Sequence, residues 1–293
     1  MNLVVALSLL ALQTPTPPTT TSAPTTTTTA PTPCPAIEVP GMRCVPGGLT
    51  ALGTNDEHRC AQGENKRRHT VFGPAMTVFI DSVFVDETEV TIAAYNACVA
   101  AKKCSRGGPL YNDYSRPQQP VTAITWFQAR DFCKSLGKRL PTENEWERAA
   151  VDVTPPACPA VIVMDEKGRS CGTPKKPPHP EKGRVLEVKG TPANAYGLYE
   201  MRGNAEEWVA DWFAPQRSTS SPNGPCEGRE ACAKFPLKLV KGGSWYWPAE
   251  HATSWHRRPW QPTNKPAHHF GFRCAADVAA AAAIAASSPT PAP

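Results

Sequence analysis

The chain has 293 residues and a net charge of +5, with 40% hydrophobic and 19% charged residues. This length and balance fit one large globular domain or two small ones. The charges are spread along the chain without a basic run or a basic–aromatic alternation, which argues against nucleic acid as a partner.

The N-terminal end predicts export. An apolar run from Leu3 to Leu12 is too short to span a bilayer, but it has the length of a signal-peptide core, although no Lys or Arg precedes it. We expect residues 1–13 to be a signal peptide, the alternative being a disordered end with a chance apolar patch. Residues 14–33 are almost wholly Thr, Pro, Ser and Ala, which predicts a disordered tether that would associate the protein with the cell envelope.

The chain contains 11 cysteines, and no pair has the C-x-x-C spacing of a zinc or thioredoxin-type site. The odd count leaves one thiol unpaired, for which Cys34 beside the tether is the candidate. Cysteines that bracket short loops are typical of disulfides in an oxidising compartment, so we predict a periplasmic, cell-envelope or extracellular protein. The pairs that follow this pattern are Cys98 with Cys104, Cys158 with Cys171, and Cys226 with Cys232.

The first elements in chain order are a strand and a short helix. Residues 76–86 are rich in β-branched and aromatic side chains, which predicts a strand. Residues 92–98 have the pattern of an amphipathic helix capped by Thr91.

Two capping boxes then predict two further helices. Thr125 with Gln128 begins the first, over residues 125–136, and Thr142 with Glu145 begins the second. We expect most carboxylates of the second helix to form a solvated face.

The rest of the chain contains little regular structure. Residues 152–190 lose periodicity and predict irregular surface structure, whereas residues 240–245 predict a strand with a close backbone approach at its glycines. Residues 271–274 are predicted to form the final strand. Because the Ala-rich residues 277–293 have too few large apolar side chains to form a hydrophobic core, they are expected to be a disordered tail. The folded unit is therefore residues 34–276, an α+β domain with many loops.

Three motifs occur in order in the last third of the chain, at Gly197–Trp208, Gly242–Trp245 and Gly271–Cys274. With Glu89–Thr91 and Leu140–Trp146 upstream, they resemble the sulfatase-modifying-factor family, whose best-known member is the formylglycine-generating enzyme. The ordered set covers most of the predicted domain. It implies the family's fold, an irregular and loop-rich variant of the C-type-lectin type that is stabilised by disulfides.

The resemblance implies two structural features. The first is a disulfide between Cys133 and Cys274, the alternative being two buried free thiols. The second is a structural calcium ion near the Gly-Asn-x-x-Glu-Trp motif, for which this sequence keeps an oxygen donor at each family position. The alternative is a turn stabilised by its asparagine, with its last carboxylate solvated. The implied ligands are the side chains of Glu200 and Glu207 and the carbonyls of Gly203 and Ala205.

The family's chemistry does not carry over to this chain. The formylglycine-generating enzyme binds copper(I) through two cysteines, and soft thiolates suit that ion. The matching positions here are Trp247 and Ala252, and no cysteine lies between Ser244 and Phe272. The sequence therefore predicts a pseudoenzyme without copper.

A Trp/Arg-rich segment is the candidate binding surface for a peptide, protein or glycan, because aromatic residues and Arg are enriched in binding hot spots. Its predicted ligand-contacting residues are Trp247, Trp255, Arg257, Arg258 and Trp260.

The competing interpretation is an oxidoreductase of the same fold, which would act on a protein cysteine or a small thiol with a non-cysteine metal site. Histidines in exposed loops are usually solvated, so the binding role leads. The candidate metal ligands are His251, His256, His268 and His269.

Overall fold

The computed structural model describes residues 32–54, 71–72, 75–108, 115–150, 185–213, 237–247, 251–263 and 268–287. These residues form short strands and four helices joined by long irregular segments. The elements are β1 Met42–Val45, β2 Gly48–Leu52, β3 Val71–Phe72, β4 Met76–Ile80, β5 Val83–Asp86, α1 Ile92–Ala100, α2 Trp126–Ser135, α3 Glu143–Ala149, β6 Glu206–Trp212, β7 Lys238–Lys241, β8 His256–Trp260, β9 Phe270–Gly271, β10 Ala275–Asp277 and α4 Val278–Ser287.

The strands form three small sheets, with strand orders β1-β5-β10, β2-β4 and β3-β8-β7-β6-β9. All pairs are antiparallel except β6 with β9, which run parallel. Strand β10 pairs with β5, so the end of the domain is joined to its beginning. This confirms the mixed α+β, loop-rich fold class.

The strand predicted over residues 76–86 is two strands in different sheets. The chain turns at Asp81 and Ser82, where the buried Ser82 hydroxyl accepts from Gly47 N–H at 2.9 Å and donates to the Thr32 carbonyl at 2.6 Å. This break depends on partners more than thirty residues away, so local β propensity did not reveal it.

Both predicted capping boxes are present, at Thr125 with Gln128 and at Thr142 with Glu145. Helix α2 turns its apolar face into the main core. There the Phe132 ring stacks on Tyr95 at 5.5 Å and meets Phe272 edge-on at 5.4 Å. The helix thereby joins α1 to the Gly271–Cys274 motif.

The solvated face predicted for α3 is wrong. Its three glutamates are almost completely buried, because cations from strands β7 and β8 and from the segment just before the helix reach them. Glu143 pairs with Arg257 at 2.9 Å, Glu145 with Arg139 at 2.7 Å, and Glu147 with Lys241 at 3.2 Å.

The disordered tail predicted for residues 277–293 is also corrected in part, since Val278–Ser287 form helix α4. Ala281 is fully buried, and it packs with half-buried Val278 and Ile284 in a cluster that includes Phe84. Alanine has the highest helix propensity, which favours this helix. The sequence pattern did not show that one face of it packs against buried residues of the domain.

Three disulfides occur in the described residues. The predicted pairs Cys98–Cys104 and Cys133–Cys274 are both present. Cys34, the candidate free thiol, instead pairs with Cys44. Cys60 and the predicted pairs Cys158–Cys171 and Cys226–Cys232 lie outside the described residues. Several disulfides indicate an oxidising environment. Within the described part of the chain, no helix is long and apolar enough to cross a membrane.

Candidate functional site

Two glycines shape the turn that positions the candidate site. Gly242 and Gly243 have φ values of +93° and +64°, in the left-handed region that favours glycine. A Cβ on Gly243 would lie 2.7 Å from the His251 carbonyl carbon. The turn therefore presses on the backbone of His251 and Ala252, which matches the close approach predicted from the sequence.

Beyond this turn, six rings pack together, and we call them the aromatic cluster. Its members are Tyr246, Trp247, His251, His256, His268 and His269.

Trp247 lies in the middle of the aromatic cluster and is half-buried. Its indole stacks on His251 with centroids 5.1 Å apart, and the guanidinium carbon of Arg258 lies 4.5 Å from its ring centroid. Its Nε1 lies 3.4 Å from Nε2 of His269. Trp247 is therefore partly covered by its neighbours, and it contributes more to the packing of the cluster than to an exposed surface.

Tyr246 is the exposed member of the aromatic cluster, with 41% of its surface accessible. One face stacks on His269 with an interplanar angle of 5°, and its edges meet Trp245, Trp247 and His268. The ring is therefore held rigidly while part of it faces solvent. Tyr246 is not among the ligand-contacting residues predicted from the sequence, since its exposure is a property of the folded chain.

A buried ion pair packs against the aromatic cluster. The carboxylate of Glu206 accepts two contacts from Arg258, at 2.9 and 3.1 Å, and lies 3.3 Å from Nε2 of His269. Burial raises the pKa of Glu206, but Arg258, His269 and His256 outweigh it and lower that pKa to about 2. Glu206 therefore stays charged at neutral pH and anchors Arg258.

The structure separates the five predicted ligand-contacting residues. Arg257 is 1% exposed and pairs with Glu143, whereas Arg258 joins the aromatic cluster. Both lie on strand β8, where successive side chains point to opposite faces. Trp260 packs on Phe270 at the edge of the main core, and Trp255 is half-buried in the turn before β8.

Two histidines of the aromatic cluster are in direct contact, since Nδ1 of His251 lies 3.1 Å from Nε2 of His256. Burial is the main cause that lowers the pKa of His256 well below its ordinary value, and His251 adds to it. Burial also lowers the pKa of His269, and it lowers that of His268 to about 4 with a contribution from His269. These three rings are therefore neutral at pH 7.

We expect the rings of His256 and His268 to stay neutral at pH 6, with His268 taking up its proton near pH 4. The pKa values of these imidazoles are lower in the folded protein than in the unfolded chain. The folded protein therefore keeps its full stability above the unfolded pKa of about 6.5, and it loses stability as pH falls from there toward the folded pKa. Long-range ¹H–¹⁵N spectra of the imidazoles measure this directly. The control is urea-unfolded protein, whose imidazoles are expected to titrate near pH 6.5. Buried rings that are protonated at pH 6 in the folded protein would contradict the prediction.

The predicted calcium ligands lie beside a second buried ion pair. Glu207 is fully buried, and its two oxygens receive Arg273 and Trp146 Nε1 at 2.7–2.9 Å. Glu200 is also buried, and its oxygens accept from the backbone N–H groups of Lys189 and Thr191 and from the Thr191 hydroxyl at 2.9–3.0 Å. A carboxylate offers about four lone-pair sites, so Glu207 has its sites occupied and Glu200 keeps one.

A third carboxylate near these two has no such contacts. Glu89 is 1% exposed, and within the described residues neither of its oxygens has a hydrogen-bond partner. The oxygens of Glu89 and the remaining site of Glu200 suit a hard cation that prefers oxygen ligands. The oxygens of Glu89 and one site of Glu200 are therefore the carboxylate acceptors that the described residues leave available here.

Several known proteins are similar to this chain in sequence. The chain is 27% identical over 290 residues to the formylglycine-generating enzyme of Bos taurus, covering 80% of this chain and 74% of that protein. It is 34% identical over 187 residues to the formylglycine-generating enzyme of Thermomonospora curvata, covering 58% and 59%. It is also 28% identical over 233 residues to serine/threonine-protein kinase pkn1 of Chlamydia caviae, but the match spans only 34% of that protein.

Solved structures show the same fold. PvdO from Pseudomonas aeruginosa superposes with a TM-score of 0.61 at 22% identity, covering 80% of this chain and 93% of that one. Treponema denticola variable protein 1 gives a TM-score of 0.57 at 22% identity, covering 80% and 94%. The family profile of the sulfatase-modifying factor enzyme 1-like domain matches residues 27–278. With its motifs, its fold and this match in agreement, the chain belongs to the sulfatase-modifying factor family.

Proposed function

We propose that this protein is an exported binding module of the sulfatase-modifying factor family without copper-dependent oxidase activity. The supporting observation is what occupies the positions of the family's two copper-binding cysteines. Trp247 is packed between neighbouring rings and Arg258, and Ala252 is fully buried. Neither side chain supplies a thiolate, the ligand type that suits copper(I).

Tyr246 is the residue through which we expect binding to occur. A ring that is already fixed by its neighbours loses little conformational freedom when a ligand covers it, and this favours affinity. The Trp247 and Arg258 contacts beneath it hold the surrounding rings in place. The ligand of this surface is a peptide, protein or glycan.

Replacing Tyr246 with Ala is expected to weaken binding by about tenfold or more without unfolding the domain. Glycan arrays and a displayed peptide library supply the probes, and those that bind the wild type with Kd below about 100 µM are titrated against both proteins. Leu49→Ala is the matched control because Leu49 is 65% exposed on β2, outside the aromatic cluster. Probes that bind Tyr246→Ala as tightly as the wild type would place the binding surface elsewhere.

The proposed absence of copper-dependent oxidase activity can be tested separately. A cysteine-containing peptide incubated with the protein, copper(I), oxygen and a thiol reductant is expected to yield no formylglycine product, whereas the formylglycine-generating enzyme of Thermomonospora curvata serves as the positive control. Mass spectrometry of the peptide detects the conversion. Catalytic turnover by this protein would overturn the proposed absence of oxidase activity.

A second candidate function is an oxidoreductase with a histidine-bound metal. The nitrogens of His251 and His256 are 3.1 Å apart, a spacing that two ligands at about 2.0–2.1 Å from one ion can adopt. Among the described residues, however, no group of three or more His, Cys, Asp or Glu is arranged to hold a metal. Stoichiometric copper or iron that is lost in His251→Ala would favour this candidate over the binding module.

We also propose that a calcium ion stabilises the domain beside the Gly-Asn-x-x-Glu-Trp motif. The carbonyls of Gly203 and Ala205 and the carboxylate of Glu200 are its proposed donors there, with Glu207 nearby. The burial of Glu200 supports the proposal, because its hydrogen-bond donors among the described residues are neutral and a buried carboxylate is costly unless a positive charge accompanies it.

A further inference from the structure

One edge of the Arg258 guanidinium is left open by the packing of the aromatic cluster. Both hydrogen bonds of Arg258 start from Nη1, which donates to the two carboxylate oxygens of Glu206 at 2.9 and 3.1 Å. Within the described residues, Nε and Nη2 have no hydrogen-bond partner. Neither nitrogen is among the buried atoms that lack a partner, and 12% of the side chain is exposed, so this edge reaches solvent.

Two other arginines of the chain show what this edge does when a carboxylate faces it. Nε and Nη2 of Arg257 donate to the two oxygens of Glu143. The same two nitrogens of Arg273 donate to Glu207 at 2.7–2.9 Å. Two parallel N–H groups on one edge of a guanidinium match the geometry of a carboxylate. In Arg258 the same edge is present, and no carboxylate of the described residues occupies it.

The carboxylate of Glu206 does not prevent Arg258 from receiving a second one. Arg139 in the same chain already holds two carboxylates with one guanidinium. Its Nη1 and Nη2 donate to Glu145 at 2.7 Å, while Nε and Nη2 donate to Asp277. The five N–H donors of a guanidinium allow this arrangement. Nε and Nη2 of Arg258 are therefore suited to a carboxylate that comes from outside the domain.

Aromatic rings hold this guanidinium in place. Its central carbon lies 4.5 Å from the ring centroid of Trp247, 5.1 Å from that of Trp260 and 5.4 Å from that of Phe270. The ion pair with Glu206 fixes Nη1 as well. A guanidinium that is already fixed loses little side-chain freedom when a ligand binds to its open edge, and this favours affinity.

The same rings restrict which carboxylate reaches the open edge. Tyr246 and Arg258 both contact the ring of Trp247, so they belong to one surface. Because little of the Arg258 side chain is exposed, a ligand has to approach it past the rings of Trp247 and Trp260. A carboxylate on a flexible peptide side chain or chain end passes such rings more easily than one attached directly to a sugar ring. These contacts favour an acidic peptide over an acidic glycan.

We propose that the surface around Tyr246 recognises a carboxylate of a peptide and that Arg258 binds this carboxylate through Nε and Nη2. This inference rests on the proposed binding function and specifies its ligand. Arg258 then contacts two carboxylates at once. Its Nη1 holds the buried Glu206, and its open edge selects the peptide.

Changing acids to amides in the ligand tests this inference without altering the protein. Peptides are selected from a displayed random library against the wild type at pH 7 and are then synthesised. Each Asp or Glu of a peptide is replaced in turn by Asn or Gln, and a further version has an amidated C-terminus. One of these changes is expected to raise the Kd by about tenfold or more, because hydrogen bonds between two charged groups are lost. Fluorescence anisotropy measures the Kd, and the change that has this effect identifies a side chain or the C-terminus as the source of the carboxylate.

Arg258→Lys is the protein variant, since lysine keeps a positive charge beside Glu206 but lacks two parallel N–H groups. It is expected to bind the acidic peptide about tenfold more weakly than the wild type does, and to bind the amide version with about the wild-type Kd. Arg130→Lys is the matched control and is expected to change neither Kd, because the Arg130 guanidinium lies over the rings of Trp126 and Phe127 on α2. Circular dichroism verifies that each variant is folded.

The outcomes separate this inference from the proposed binding function. If peptides lose affinity for Tyr246→Ala but no change from acid to amide raises their Kd, the binding surface stands and its selection of a carboxylate is overturned. Glycans as the only probes that depend on Tyr246 lead to the same conclusion. An acidic peptide that binds Arg258→Lys as tightly as the wild type overturns the role of Arg258. If no probe depends on Tyr246, both proposals are overturned, and if Arg258→Lys does not fold, the amide peptides alone decide.

Discussion

Replacing both Cys133 and Cys274 with alanine is expected to lower the free energy of unfolding by about 5 kcal/mol. The disulfide joins residues 141 positions apart, and removing it restores that freedom to the unfolded chain. Since natural domains are stable by about 5–15 kcal/mol, this loss leaves the domain marginal or unfolded. The bond also ties helix α2 to the segment between β9 and β10.

The pair Cys98 and Cys104 provides the control, because this disulfide spans only 6 positions. The same chain-entropy relation gives about 2 kcal/mol for it. Urea unfolding of both double variants, monitored by tryptophan fluorescence, compares the two losses. Equal losses would show that loop length does not govern the stabilisation and that strain or packing around the sulfurs dominates.

The parts of the fold that sequence analysis predicted well are those that depend on local chemistry. The capping boxes at Thr125 and Thr142 satisfy backbone donors within one helical turn, so they begin helices in this fold as they would elsewhere. The long-range disulfide was predicted from the family resemblance, since spacing alone could not select it.

The errors arose where distant residues decide the environment. Glu143 looks like part of a solvated helix face until Arg257, 114 residues later, pairs with it. Strand β8 was not predicted because it contains Pro259, and proline argues against a strand in the interior of a sheet. Without that strand, the opposite directions of Arg257 and Arg258 could not be inferred, and both were assigned to the binding surface.

The sequence identified the segment around Trp247 as a candidate surface but did not show how its side chains pack. The resemblance identified Trp247 as the position of a missing cysteine, and the structure places it at the centre of the aromatic cluster. Its partners His251 and His269 are brought there by the turn at Gly243 and by strand pairing of β9. Glu89 escaped notice because a missing hydrogen-bond partner is a property of the folded chain.

The largest single-residue effect is expected at Arg273. Its guanidinium is fully buried, forms three contacts of 2.7–2.9 Å with Glu207, and donates to carbonyls that include Tyr199 at 2.7 Å. Arg273→Met leaves the Glu207 carboxylate buried without its counter-charge, and breaking such a pair costs about 3–5 kcal/mol. Urea unfolding at pH 7 measures the loss.

A double-mutant cycle identifies the cause of that loss. Glu207→Gln in the Arg273→Met background removes the stranded charge while an oxygen remains for the indole N–H of Trp146, which donates to Glu207 at 2.7 Å. The double variant is therefore expected to be more stable than Arg273→Met alone, although the carbonyl partners of Arg273 stay unsatisfied. A double variant with the same stability as Arg273→Met would mean that the stranded charge is not the main cause of the loss and that the guanidinium acts mainly on those carbonyls. The ion pair between Arg273 and Glu207 would then contribute less to the stability of the domain than the contacts of Arg273 with those carbonyls.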